Sequence, residues 1–168
     1  MTAWLALVGF VAAQRLAELA WATRNTRRLR AAGATEAGAA HYPLFILLHG
    51  GWLANLAFFV PADAALDPTL LGGFVLLQAG RVWVIASLGP YWTTRILTLP
   101  AAPLVRRGPY RWIKHPNYLV VALEIPLVPL IAGAWQIAAV FGLLNLALLG
   151  WRIRIEDRAL AARRGAAS

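Results

Sequence analysis

Three stretches of mostly apolar residues, 3–22, 42–61 and 69–88, are each about as long as a helix must be to cross the ~30 Å hydrocarbon core of a bilayer. A fourth apolar stretch, 117–151, is too long for one span. Gly133, Ala134 and Trp135 lie near its middle, where a tight turn divides it into two helices of about 16 residues each. The expected fold is therefore all-α. It is a polytopic integral membrane domain over residues 1–168, with about five transmembrane helices and the last two forming a short hairpin.

Charge placement gives this reading an orientation. The segment 23–40 carries Arg24, Arg27, Arg28 and Arg30. The segment 89–116 carries Arg95, Arg106, Arg107, Arg111 and Lys114, and the tail carries Arg152, Arg154, Arg158, Arg163 and Arg164. The loop at 62–68 holds only Asp63 and Asp67, and the turn near Gly133 is uncharged. Fourteen of the sixteen basic residues thus fall on one side. The positive-inside rule makes that side cytoplasmic, with the N-terminus outside and the C-terminus inside. Trp4 and Trp21 bracket the first span, and Trp135 and Trp151 the last, as interfacial tryptophans do.

The same placement removes several function classes. The net charge of +9 lies beside apolar spans and forms no basic helix, so anionic lipid headgroups suit it better than nucleic acid. With no cysteine there is no disulfide framework and no thiolate ligand or nucleophile. His41, His49 and His115 are too widely spaced to suggest a metal site. The first apolar stretch has no basic leader and carries Gln14, Arg15 and Glu18, so it reads as a retained helix rather than a cleaved signal.

Those intramembrane polar residues are costly and should face the bundle interior. Arg15 and Glu18 are three apart, Gln14 and Glu18 four apart, and Gln78 and Arg81 form a third such pair. An internal ion-pair network is the simplest use for them. His49, in the second span, reads equally as an interhelical hydrogen bond or as a group beside a substrate. In the fourth helix Glu124 precedes Pro126 and Pro129, which free carbonyls near Ala122 and Ile125 for a polar partner or a simple kink. In the fifth, Asn145, Leu149, Arg152 and Glu156 share one helical face, with Asp157 adjacent.

The segment 89–118 is too long to be a plain connector, whereas the Ala/Gly-rich 31–40 reads as one. Segment 89–118 contains Pro100, Pro103, Pro109 and Pro116 and ends in Gly108-Pro109-Tyr110-Arg111-Trp112-Ile113-Lys114-His115-Pro116-Asn117-Tyr118. Pro116 suits the first turn of a helix, and His115 then stands at the mouth of the fourth span. Free amides at that helix start suit an anion.

This string, together with Glu124 in Ala122-Leu123-Glu124-Ile125 and the later Arg152 and Glu156-Asp157, resembles the isoprenylcysteine carboxyl methyltransferase family. That group also includes membrane phospholipid methyltransferases. The motif core covers about 105–160. Tyr91-Trp92-Thr93-Thr94-Arg95 and the Gln14-Arg15 to Glu18-Leu19 segment resemble the bacterial branch. Lys114 stands where arginine is usual, losing a bidentate fork, and Asp157 replaces a second glutamate.

The resemblance implies an S-adenosylmethionine-dependent enzyme in a bacterial plasma membrane, with its active site facing the cytoplasm. It implies cofactor binding by Tyr110, Lys114, His115, Pro116, Tyr118, Glu156 and Asp157, without a metal. Arg152 would hold or polarise a lipophilic acceptor entering from the bilayer. The bacterial branch implies phenolic lipids or alkylpyrones, and the family's name implies the carboxylate of a prenylated cysteine. A phenol or enol needs a base, for which Glu124 or His49 is the candidate. A nicotinamide-dependent sterol-type reductase and a non-catalytic scaffold are the competing readings.

Overall fold

The computed structural model describes residues 2–99 and 105–165. Pro100 and Pro103 lie outside the described residues, and Arg163 and Arg164 outside the described side chains. Five helices follow in order: α1 (Ala3–Ala31), α2 (Tyr42–Phe59), α3 (Pro68–Leu88), α4 (Pro116–Ile131) and α5 (Trp135–Gly165). Four of them, α1, α2, α3 and α5, are long and apolar enough to cross a membrane. With 16 residues, α4 covers only about 24 Å. Large apolar side chains cover the outer surface, among them Leu47, Phe58, Leu76 and Leu143. Such a surface is stable against lipid and not against water. The chain is an integral membrane protein.

The helix boundaries follow from local chemistry. Thr2 caps α1 through the Leu5 amide. Asp67 caps α3 by accepting from the amides of Thr69 and Leu70 at 2.8 and 3.0 Å, with Pro68 in the first turn. Between α4 and α5, Gly133 takes a positive φ of 70°, and the Gly133 and Ala134 amides close back on Leu130 and Pro129. This is the turn the sequence places at Gly133. Two helices overrun their apolar stretches: α1 continues nine residues beyond 22, and α5 runs well past Trp151. Neither extension contains a proline, and both are rich in Arg, Leu and Ala, so nothing stops the helix where the apolar run ends.

The fold is mostly helical, as expected, with one small β addition. Thr35–Ala37 (β1) pairs antiparallel with Ile96–Thr98 (β2), in the register Thr35 with Thr98, Glu36 with Leu97 and Ala37 with Ile96. Strands of three residues are too short for periodicity to mark them. Their stability comes from side chains that the sequence does not bring together. Glu36 pairs with Arg30 on α1 and accepts from Arg95 at 2.6 Å, while the Thr35 and Thr98 hydroxyls meet at 2.9 Å. So 31–40 is a clamp rather than a connector.

The apolar core lies at the end of the bundle that contains the 62–66 loop and the Gly133 turn. Trp4, Val8 and Val11 of α1 pack there with Trp52 and Leu56 of α2, Phe74 of α3, and Ile125, Val128 and Ile131 of α4. Trp4 is fully buried and donates its indole N–H to the Leu56 carbonyl at 3.2 Å. It is therefore a core residue rather than an interfacial anchor. Trp52 donates to the Ile125 carbonyl at 3.0 Å. That carbonyl is one of those freed in α4, because Pro129 offers it no amide.

Mid-bundle, the polar residues of α1, α3 and α4 form one network. Glu124, with no exposed surface, receives both Arg15 and Arg81 and accepts from Gln78 at 2.7 Å. Gln14 bridges Gln78 and Glu18 at 2.7 and 3.0 Å. Glu18 also pairs with Arg15 at 2.9 Å and with Arg81 at 3.3 Å. Two cations and two carboxylates compensate each other here, the condition under which charge is tolerated in an apolar interior.

Candidate functional site

At the opposite end from the apolar core, a cavity of about 440 Å³ opens between the ends of α1, α3, α4 and α5 and the loops that carry β1 and β2. Tyr110, Lys114, His115, Tyr118, Arg152 and Glu156, all singled out in the sequence, line it. So do Trp92, Arg95, Arg106 and Asn117. Its volume falls within the range of small-molecule sites.

Two helices supply the central chemistry. Pro116 begins α4 with His115 as its preceding cap residue, so His115 and Tyr118 project from the first turn with their rings stacked at 5.3 Å. On α5, Asn145 and Leu149 are buried, Arg152 is 7% exposed, and Glu156 follows on the same face. Arg152 donates through Nε to the Tyr118 hydroxyl and through Nη2 to the Thr94 carbonyl, both at 2.8 Å. Tyr118 in turn donates to Glu156. The Arg152 guanidinium also lies 5.3 Å from the ring of Phe45 on α2.

The remaining expected residues occupy different places. Asp157 meets His115 at 3.2 Å and Lys114 at 2.9 Å without lining the cavity itself. Pro116 is buried behind it as the helix start. Glu124 sits in the mid-bundle network. His49 hydrogen-bonds the Phe45 carbonyl one turn back on its own helix at 2.9 Å, rather than reaching another helix. Neither Glu124 nor His49 lines the cavity. Trp92, Asn117 and Thr94 were not singled out, although all three fall inside strings quoted for the resemblance.

Three buried polar atoms beside this cavity have no partner among the described residues: the Trp92 indole N–H, the Tyr110 hydroxyl and the Asn117 side-chain oxygen. Buried polar groups are nearly always satisfied. Around this cavity these three atoms offer two donors and an acceptor to a polar ligand. Burial first, and the Glu156 carboxylate second, raise the Tyr110 phenol above its ordinary range, so it stays a hydrogen-bond donor.

An apolar bundle with a polar, basic-walled cavity at one end has the form of a membrane protein with a small-molecule site. The model of the isoprenylcysteine carboxyl methyltransferase family matches residues 69–162, which include α3, α4, most of α5 and much of the cavity wall. The chain belongs to that family and is a membrane methyltransferase. It is similar to the uncharacterized protein YpbQ of Bacillus subtilis (strain 168), 40% identical over 167 residues, covering 94% of this chain and 95% of that one. No solved structure matches it.

The family uses S-adenosylmethionine, and the donor set fits that group. Glu156 offers a carboxylate to an ammonium, a sulfonium or ribose hydroxyls. Arg106 and Lys114 offer cations to a carboxylate, and the three unpartnered atoms offer neutral hydrogen bonds.

Proposed function

We propose that this protein transfers a methyl group from S-adenosylmethionine to an oxygen of a lipidic acceptor. The acceptor is a phenolic lipid or alkylpyrone, with the carboxylate of a prenylated cysteine as the second class, and the site faces the cytoplasm. The observation that carries this reading is the hydrogen-bonded series Arg152, Tyr118, Glu156 on the wall of a cavity with three unsatisfied polar atoms. Side chains aligned this way from two helices have little freedom, and fixed geometry is what an in-line displacement needs. The orientation rests on the fourteen basic residues that the sequence places at this end.

When bound, the cofactor supplies an electrophilic methyl on a sulfonium. The chain does the rest. Glu156, held by Tyr118, balances positive charge in the cavity, and Tyr110, Trp92 and Asn117 orient polar edges. Arg152 draws an acidic oxygen toward the cavity, because a cation stabilises the ionised acceptor. A lipid tail stays in the bilayer beside the apolar helix faces, and only the head reaches the site. His115, fixed by Asp157, closes the mouth of α4.

Isothermal titration of the purified protein with S-adenosylhomocysteine and, separately, with NADPH tests this. Binding of the first alone supports the methyltransferase reading. Binding of NADPH alone moves the assignment to a lipid reductase, and binding of neither leaves a scaffold.

A further inference from the structure

Between Asp67 and Glu124 the chain has no acidic residue, and Arg106, Arg107, Arg111 and Lys114 fall within nine positions of one another. All four are exposed. So are large apolar side chains beside them: Trp112 is 68% exposed, Trp83 on α3 50% and Ile113 41%. Apolar surface and charge of a single sign thus share one face at the cavity end of the bundle. Such a patch on a folded protein marks an interaction surface.

This face is held firmly. The 3₁₀ turn Gly108–Arg111 sits against the end of α3, where Gly108 takes a positive φ of 57°. An added Cβ there would collide with the Ser87 hydroxyl and lie 3.2 Å from the Trp83 indole nitrogen, so only glycine seats the turn this closely. Arg107 donates through Nε to the Ser87 carbonyl at 2.8 Å. The Trp112 and Ile113 amides close on the Pro109 carbonyl at 3.2 and 3.0 Å. The turn therefore presents two sides, Tyr110 on the cavity wall and Trp112 with Ile113 on the outer surface.

The seating also sets a depth. Trp83 lies five residues before the end of α3 at Leu88, about 7.5 Å along the helix axis. The Trp112 ring meets it at 6.1 Å, so the two indoles stand at a similar level just inside the end of a span. Tryptophan favours the headgroup level of a bilayer. The Arg111 guanidinium lies 5.2 Å from the Trp112 ring, whereas Lys114 is drawn to Asp157 at 2.9 Å. A second copy of this face would meet it cation against cation, which is repulsive. A lipid phosphate with its acyl chains answers both the charge and the indoles.

We propose that this face is a seat for an anionic phospholipid, with the phosphate at Arg111 and the upper acyl chains against Trp83 and Trp112. The seat lies outside the cavity and does not depend on the methyltransferase reading. A zwitterionic headgroup brings its own cation to a face that already carries four, so the anionic lipid is the preferred occupant.

The chain has no cysteine, so a single one introduced as Ile113→Cys takes a bimane probe specifically. The labelled full chain is placed in phosphatidylcholine nanodiscs with a small, equal fraction of nitroxide-labelled phosphatidylglycerol or nitroxide-labelled phosphatidylcholine. The anionic quencher should be about fivefold more effective, the contribution of one cation near an anionic surface. The same probe at Phe59→Cys, exposed on α2 at the other end of the bundle, should show no preference. Arg111→Gln should bring the two quenchers close to equal at position 113, while Arg111→Lys keeps most of the difference. Each variant is compared at an unchanged melting temperature. Equal quenching by the two lipids at position 113 overturns the proposal. So does a preference that survives Arg111→Gln, or one that is just as large at position 59. A probe at position 113 that aqueous iodide quenches and neither lipid reaches overturns it too, because the face then lies in water.

Discussion

Arg152 and Tyr118 lie 34 residues apart and meet through a 2.8 Å hydrogen bond that joins α5 to α4 at the mouth of the cavity. Because Arg152 also holds the Thr94 carbonyl, one guanidinium ties both helices of the hairpin to the loop carrying β2. Lysine keeps the charge but has no planar fork to serve both partners. Arg152→Lys should lower methyl transfer to a lipid acceptor by ten- to a hundredfold, about 1.5–3 kcal/mol. The affinity for S-adenosylhomocysteine should change much less. Steady-state rates alongside calorimetric titration check the split.

The cofactor contacts should show directly in binding. Glu156→Ala and His115→Ala should each weaken S-adenosylhomocysteine binding by about 1.5 kcal/mol or more, the scale of a hydrogen bond to a charged group. Calorimetry on variants that keep the wild-type melting temperature decides this. Unchanged affinity in both would remove these residues from the cofactor site.

Glu124 should matter to the fold before it matters to chemistry. Glu124→Ala leaves Arg15 and Arg81 without their shared carboxylate in an apolar interior, a loss of about 3–5 kcal/mol. Thermal denaturation in detergent should show a large drop in melting temperature. Trp52→Phe, which strands the Ile125 carbonyl, should cost less, about 1–3 kcal/mol.

The strand clamp should open in acid. Burial raises the Glu36 pKa, but hydrogen bonds from Arg95 and Arg30 outweigh this and leave it below its ordinary value. A carboxyl depressed in the folded state contributes stability above its unfolded pKa and loses it as pH falls through the folded one. Exchange of the β1 and β2 amides should therefore quicken only below the usual carboxylate range. Glu36→Gln should show the fast exchange already at neutral pH.

Topology has its own test. Single cysteines in place of Asp63 and Arg158, both exposed, should react with an impermeant thiol reagent from opposite sides of intact cells. Reaction of both from one side would contradict an odd number of spans between them.

Much of the architecture was legible because apolar run length and proline or glycine placement act locally. The turn at Gly133, the start of α4 at Pro116 and the shared face of Asn145, Leu149, Arg152 and Glu156 all follow from such signals. What escaped notice depends on distant partners. β1 and β2 owe their pairing to residues some sixty positions apart. Trp4 looks interfacial by position, but a carbonyl 52 residues away draws it into the core. His41 gave no signal, since only the fold buries it against Phe45 and Trp151.

The hairpin of α4 and α5 acts as a measuring device. Asn145 donates to the Val121 carbonyl near its middle, and Arg152 meets Tyr118 near its open end, so one turn at Gly133 sets the alignment of both pairs. A single residue inserted in α5 between Ala138 and Asn145 would rotate everything beyond it by about 100° and advance it by about 1.5 Å. Asn145, Arg152 and Glu156 would swing together toward lipid although no side chain had been altered. The same insertion in the 62–66 loop would be absorbed. The enzyme therefore specifies a length as strictly as any residue, and an indel in α5 should abolish activity where many point changes there would not.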